Sequence, residues 1–344
     1  MILLTGANGH LGANLLRRLL SDGVAVRVLL RPGSDNSTID GLDVERVYGD
    51  LRDPVSLAEA SVRCQAIFHC AAQISTVAGG AQSIFANNVL GTRNLLRAAL
   101  KARVSKVVVS GSLSATGHRA DRPTDEEEPF NPFESHLPYS ISKSAVEHEC
   151  LKAIADGLEV VVAVSSAILG ANDFKPSRMG QVLLNYAHGR LRAYVPGGFE
   201  FVSARDIVEG HLLAMSKGRS GQKYIFSTEF MTLDALFDLY RHVTGLPNRA
   251  LRLPPALMAG LAHISDCVHR YVLPGRRQLL TPAAIRLLRM GRRADCSKAR
   301  RELGYQPSTI AEAVCDAYEW FESRGMIERP RRVAAVRWAR RRAT

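Results

Sequence analysis

Cysteine is sparse and scattered: six residues in 344, at positions 64, 70, 150, 267, 296 and 315, with no Cys-x-x-Cys pair. That excludes a disulfide-stapled scaffold and a zinc finger, so no metal is expected, and isolated thiols suit a reducing compartment. Aromatic residues are few, 6% with two Trp, and form no stacking pattern beside basic residues. Nucleic acid is therefore not an expected partner. Long apolar runs are missing too. The most apolar late stretch, 253–273, is broken by Pro254, Pro255, His263, Asp266, His269 and Arg270, so it cannot form a bilayer-spanning helix of ~20 apolar residues. The start, Met1-Ile2-Leu3-Leu4-Thr5-Gly6, offers no charged and then apolar leader, and a cytoplasmic location is the expectation. There is no internal repeat.

What the chain does have is ordinary globular composition, 46% apolar and 23% charged, enough to bury a core. Its formal charge of +12 is unevenly placed. Arg331, Arg332, Arg337, Arg340, Arg341 and Arg342 carry half of it, in the last fourteen positions and with no acid among them. This tail reads as a solvated end, with weak contact to an anionic membrane surface as the other reading.

Short β-branched runs at 2–4, 24–30, 44–48, 66–70, 107–110 and 160–164 alternate with helix-period segments. The helical segments fall at 11–20, 54–60, 82–102 and 139–155. Continuously apolar strands joined by helices predict a parallel sheet covered on both faces, the doubly wound α/β (Rossmann) class. After the sixth strand the pattern loosens. Helices are expected near 178–188, 206–217, 232–244, 282–290 and 310–321, with a short strand near 224–226. The expected division is a dinucleotide-binding Rossmann domain at 1–165, to which some later segments return. A smaller mixed α/β substrate-binding region follows at 166–325, then the basic tail at 326–344.

Between the first strand and first helix stands Thr5-Gly6-Ala7-Asn8-Gly9-His10-Leu11-Gly12. A pyrophosphate would meet helix N-terminal amides there. The glycines would supply a tight turn, close backbone approach to phosphate, and close helix–strand packing. The second strand ends at Arg31 with no carboxylate before Asp35. A guanidinium in place of the ribose-binding acid favours a 2′-phosphate, hence NADP(H) over NAD(H). Tyr139 and Lys143 lie four apart, on one face of a helix begun by Pro138. A phenol near pKa 10 relays protons poorly at neutrality. An adjacent ammonium favours the phenolate and brings it toward a useful range.

With these motifs the chain resembles the extended short-chain dehydrogenases/reductases of the NAD-dependent epimerase/dehydratase type, as far as about Phe321. The later runs 174–180, 193–195, 206–211 and 302–307 look most like the dihydroflavonol-reductase-like branch and the hopanoid-associated sugar epimerases. The resemblance implies further roles. Asp50, with Leu51 beside it, would contact the adenine. Cys70, Ala71 and Ala72 would wall the cofactor, Asn88 would mark the Asn-x-x-Gly-Thr helix start, and Lys143 would hold the nicotinamide ribose. Ser112 would hydrogen-bond the reacting oxygen, with Ser110 the lesser candidate and a cofactor neighbour. Two departures narrow the chemistry. Leu113 and Ser114 stand where sugar dehydratases carry Asp-Glu, which speaks against dehydration. Ser165 and Ser166 stand where the family usually has a proline near the carboxamide, and a serine hydroxyl there could bond that group.

The implied activity is hydride exchange between NADP(H) and a ketone or secondary alcohol, on a small or medium-sized organic, lipophilic substrate in biosynthesis. An NAD-dependent sugar-nucleotide epimerase is the alternative, and a non-catalytic nucleotide sensor the remote one. A homodimer is the family's habit. The substrate pocket would be lined by Gln73, Ile74, His118, Phe133, Phe174, Tyr186 and Tyr194, and Asp125–Glu128 reads as a solvated turn.

Overall fold

The computed structural model describes residues 1–75, 80–130, 137–247, 250–254, 256–257, 260, 265 and 281–328. Phe133 and residues 329–344, most of the basic tail, lie outside them, as does most of the apolar stretch 253–273. No helix among the described residues is long and apolar enough to cross a membrane.

Seven parallel strands form the central sheet: β1 (Ile2–Thr5), β2 (Val26–Leu30), β3 (Glu45–Tyr48), β4 (Ala66–His69), β5 (Lys106–Ser112), β6 (Val160–Ser165) and, from the second half, Lys223–Phe226. Their order is β3-β2-β1-β4-β5-β6 followed by the Lys223–Phe226 strand. The chain reverses direction of growth between β1 and β4, which opens the crevice where doubly wound sheets bind ligands. The expected strand near 224–226 therefore belongs to this sheet, paired with β6 (Phe226 opposite Ser165).

Alternate residues of each strand serve opposite faces. Leu3, Ile67, Val107 and Val109 pack under Leu57, Leu95 and Val146, on the helices α2 (Pro54–Ser61), α4 (Gly91–Lys101) and α5 (Pro138–Ala155). Leu4, Phe68 and Val108 pack under Leu15, Leu16 and Ile207 on the other side. Two covered faces explain why the strands read as unbroken apolar runs. Helix α1 (His10–Ser21) presents Leu15, Leu16 and Leu19 to the sheet. In α2, Asp53 caps the N-terminus by accepting from the Val55 and Ser56 amides, with Pro54 in the first turn.

The remaining structure gathers around a third apolar cluster that includes Leu183, Tyr186, Phe237 and Tyr240. It contains a three-stranded sheet, β7 (Ala167–Leu169), β9 (Gly198–Ser203) and β11 (Glu229–Thr232), and a paired β8 (Ala193–Tyr194) and β12 (Leu251–Arg252). The Lys223–Phe226 strand is β10. Among the described residues, five helices of the second half fall where they were expected: Arg178–Ala187, Ala204–Ser216, Leu233–Thr244, Pro282–Met290 and Ile310–Ser323. A sixth, Ser297–Leu303, was not expected from sequence. At seven residues it is too short to show a period.

Two expectations are corrected. The helix expected over 82–102 is interrupted: α3 (Ala81–Phe85) passes through a π turn at Ala86–Leu90 before α4 begins. The acidic turn is also only partly solvated: Glu127 is exposed, but two of its carboxylates turn inward. Glu126 and Glu128 are 8% and 4% exposed. Glu126 accepts the Ile225 amide at 2.7 Å, which satisfies a donor on the outer strand of the sheet. Glu128 is held by Arg119 and Arg122.

Candidate active site

The crevice starts at Gly6, whose φ of +80° turns the chain sharply after β1. A Cβ on Gly6 would stand 2.6 Å from the Ala71 nitrogen, and one on Gly12 only 2.1 Å from the Gly6 carbonyl oxygen. Gly9 is different. A Cβ there would meet only the Gly6 oxygen, at 3.4 Å, on backbone with φ −89°. The protein itself leaves room for a side chain at Gly9. As the N-cap of α1, Gly9 also offers the helix amides no side-chain acceptor.

Three buried polar atoms in this crevice have no hydrogen-bond partner: Asn8 Oδ1, His10 Nδ1 and Ser166 Oγ. Buried polar atoms are rarely left so. The uncapped α1 amides are donors that fit a phosphate, Asn8 Oδ1 is an acceptor that fits a cofactor hydroxyl, and Ser166 fits a carboxamide. Leu11 packs against the α1-side core. Arg31 is exposed just beyond β2. Asp50 is occupied: Arg52 grips both carboxylate oxygens at 2.9 Å and its amide adds a third bond at 2.8 Å. This hydrogen bonding holds Asp50 below the ordinary carboxylate range. Leu51 lies under Gly91, where a Cβ would come within 2.8 Å of its own, and its carbonyl accepts from Asn94.

The end of β4 is fixed by a directed chain of hydrogen bonds. Thr92 donates to the Asn88 carbonyl at 2.5 Å, so it accepts from His69 Nε2–H at 2.8 Å. His69 Nδ1 then accepts from the Thr5 hydroxyl at 2.7 Å, which in turn accepts the Ala71 amide. Burial pushes His69 down to about 3. Ala72 is exposed beyond it.

Asn88 sits in the π turn, a local geometry common at functional sites. Its side chain is fully engaged by protein. Oδ1 accepts the Gln73 amide, and Nδ2 donates to the Gln73 carbonyl and to Ser142, which itself donates to the Tyr139 carbonyl. Asn88 thus ties the loop after β4 to the first turn of α5.

At the end of β5 the two serines separate. Ser112 pairs with Ser165 in the ladder, its hydroxyl lies 2.9 Å from Ser114 Oγ, and it hydrogen-bonds the Tyr139 phenol. Ser110, two residues earlier on the same face of the strand, has other partners. Its hydroxyl donates to His211 Nε2 at 2.8 Å, because His211 Nδ1–H donates to the Ile207 carbonyl. Cys70 also bonds Ser110, and burial raises its thiol to about 11. The Ser110 carbonyl accepts from Lys143 Nζ at 2.8 Å. Lys143 is 6% exposed, and burial lowers it to about 8.

The expected tuning of the phenol takes another form. Burial raises Tyr139 above its ordinary value, and the opposing influence is the Ser112 hydrogen bond, not the ammonium. Desolvation outweighs a cation whose own donor is directed at the Ser110 carbonyl.

Of the expected pocket lining, Tyr186 is 5% exposed, packed among Phe237 and Tyr240, with its hydroxyl on the Leu246 carbonyl. Tyr194 bonds Asp234, and Phe174 lies between Arg17 and Trp320. These three serve packing. Gln73 accepts from Ser83 and Asn87, Ile74 is exposed, and His118 is half-buried. His211 and the Thr5–His69–Thr92 chain were not singled out from sequence. Their partners are remote along the chain and carry no spacing signal.

Residues 2–226 match the family described as NAD dependent epimerase/dehydratase. The chain belongs to that family. Among its relatives, "Sterol demethylase protein B" of Methylococcus capsulatus is 42% identical, over 94% of this chain and 99% of its own length. "Putative dihydroflavonol 4-reductase" of Synechocystis is 32% identical, over 94% and 95%. The crystal structure of gox2253 superposes with a TM-score of 0.83 at 35% identity, covering 95% of this chain and 99% of that one. A nucleoside-diphosphate-sugar epimerase from Pseudomonas aeruginosa shares the fold, with a TM-score of 0.77 at 22% identity over 95% and 99%. This is a family of NAD(P)-dependent oxidoreductases with the seven-stranded Rossmann sheet described above.

The buried imidazoles make this family member acid-sensitive. His211 is lowered to about 4 by burial, as His69 is to about 3. As pH falls below 6.5 the unfolded chain binds both protons first, so stability present above 6.5 is lost toward pH 4. The slope is about 1.4 kcal/mol per pH unit for each histidine. Denaturant unfolding at pH 7, 6 and 5 measures it. A flat profile would show that these rings do not stay neutral in the fold.

Proposed function

We propose that the protein is an NADP(H)-dependent oxidoreductase that interconverts a ketone and a secondary alcohol on a lipophilic substrate. The observation that carries this reading is the half-buried pair of hydroxyls at the crevice: the Tyr139 phenol beside Ser112 at the end of β5. Lys143 stands one helical turn further along. Ser112 and Tyr139 would hold the reacting oxygen, and Tyr139 Oη would give it a proton or take one back. Lys143 Nζ would orient the ribose and supply the positive field. Gly6, Asn8, Gly9, His10, Leu11 and Gly12 would cradle the pyrophosphate, with Asp50, Leu51, Cys70, Ala71 and Ala72 around the adenosine and ring. Ser110, Ser165 and Ser166 would complete the nicotinamide side, and Asn88 would act by positioning. When bound, the nicotinamide supplies or accepts the hydride.

The substrate class is supported by the relatives' names. They specify a sterol, a dihydroflavonol and, in Stigmatella aurantiaca at 30% identity over 91% of this chain and 94% of its own length, a farnesylated dihydroquinoline ketone. All three are apolar ring systems bearing oxygen. The test is oxidation of NADPH by purified protein across a panel of ring ketones. Cofactor that copurifies tightly and interconverts nucleotide sugars without net consumption would favour the epimerase instead.

Arg31 carries the preference for NADP(H). With the 2′-phosphate paired to a guanidinium, a charge-assisted bond of about 1.5–3 kcal/mol is at stake. Arg31→Ser is expected to weaken NADPH binding about 10- to 100-fold and leave NADH binding unchanged. Equal losses for the two cofactors would remove Arg31 from the site.

A further inference from the structure

Lys143 is surrounded by groups that carry no charge near neutrality. His69 and His211 are held neutral at about 3 and 4, Cys70 stays a thiol at about 11, and burial pushes Cys150 up as well. Ser110 offers a carbonyl, and Tyr139 a phenol that burial raises. Among these surroundings one carboxylate acts on the ammonium: Glu147, one helical turn further along α5. Glu147 is 4% exposed. Its Oε2 lies 3.5 Å from Lys223 Nζ on the outer strand β10, and its Oε1 is buried with no hydrogen-bond partner. Lys223 in turn stacks 5.1 Å over Phe130, whose ring lies 4.7 Å from that of His148. A half-satisfied buried carboxylate is costly and calls for a reason beyond packing.

We propose that Glu147 is a positioning residue for Lys143, its buried carboxylate keeping the ammonium protonated and directed at the end of β5. The inference rests on the reading of Lys143 as part of the reaction site. Residues four apart on a helix bring their Cβ atoms within about 5–6 Å, and an opposite charge at that range favours the charged form by about 1–3 pH units. Lys223, on the far side, compensates the second oxygen and limits how much of the carboxylate's field reaches Lys143. Burial raises Glu147, while Lys223, Lys143 and His148 oppose that rise.

The direct test is an NMR titration of ¹³C-lysine-labelled protein, with Lys143 assigned by Lys143→Arg. In Glu147→Gln the Lys143 midpoint is expected to fall by about one pH unit or more, and Glu147→Asp should restore most of it. Lys223→Met, which leaves the carboxylate to Lys143 alone, should move the midpoint upward and serves if the glutamine variant does not fold. The alkaline limbs of NADPH binding and of kcat/KM should follow the same shifts. A Lys143 midpoint that is unchanged in Glu147→Gln, or in Lys223→Met if only that variant folds, overturns the proposal even where activity is lost. A midpoint that falls as expected, in a protein that reduces no ketone, would sink the reductase reading and leave the pairing standing.

Discussion

Tyr139→Phe is expected to lower turnover by about 10³-fold and to leave NADPH affinity within a factor of two or so. Proton transfer by a positioned side chain is worth about 10²–10⁴ in rate, and each factor of ten corresponds to about 1.4 kcal/mol of barrier. The hydroxyl removed is the one bonded to Ser112, so Ser112→Ala should cost less, because the phenol still reaches the oxygen. Tyr139 is half-buried, and its ring remains in the phenylalanine variant, so the fold should survive. The measurement is steady-state kinetics with a ring ketone, alongside fluorescence titration with NADPH. The pH profile adds a second readout. With Tyr139 raised and Lys143 lowered to about 8, the first group to lose its proton on the alkaline side is the lysine. An alkaline limb near 8 in the wild-type rate would then report the ammonium. A variant that retained full turnover would remove the phenol from the chemistry altogether.

The inner strands could be read from sequence because they bury both faces, and a β-branched run such as Val107–Val109 between turn residues favours a strand. Helices α1 and α2 were legible from leucine spacing and from Asp53-Pro54. The crevice was legible from three glycines at fixed intervals after a strand. What escaped was set by contacts between distant residues. Nothing in Asp125-Glu126-Glu127-Glu128 reveals that Glu126 meets the Ile225 amide about a hundred positions later. The choice between Ser110 and Ser112 rested on resemblance. The structure separates them by partner: His211 takes the hydroxyl of Ser110, while Ser112 lies beside Ser114 and the Tyr139 phenol. The π turn at Ala86–Leu90 buries one apolar side chain, Val89, too few to reveal a shifted period in the sequence. Tyr186 and Tyr194 are expected from sequence to line the substrate pocket. Their neighbours Phe237 and Tyr240 make them core.

The glycines of the crevice separate what the fold requires from what the cofactor requires, and two alanine variants should divide along that line. Gly12→Ala places a methyl 2.1 Å from the Gly6 oxygen and 3.0 Å from the Ala7 Cα. Those are backbone atoms with no rotamer to escape into, so α1 must move off β1. The expected loss is about 1–3 kcal/mol or more of stability, with cofactor binding lost as a consequence. Gly9→Ala meets only one atom, at 3.4 Å, on backbone that any residue adopts. Alanine is a poorer N-cap than glycine, which costs about 0.5 kcal/mol, and little else should change. Yet the same methyl would stand over the α1 amides, where the phosphates approach, and should weaken NADPH at least tenfold, about 1.4 kcal/mol. Denaturant midpoints and NADPH titrations on the two variants measure both quantities. A Gly9→Ala protein that binds NADPH as tightly as the parent would mean that no phosphate lies against this turn, and the placement of the pyrophosphate on α1 would fall with it.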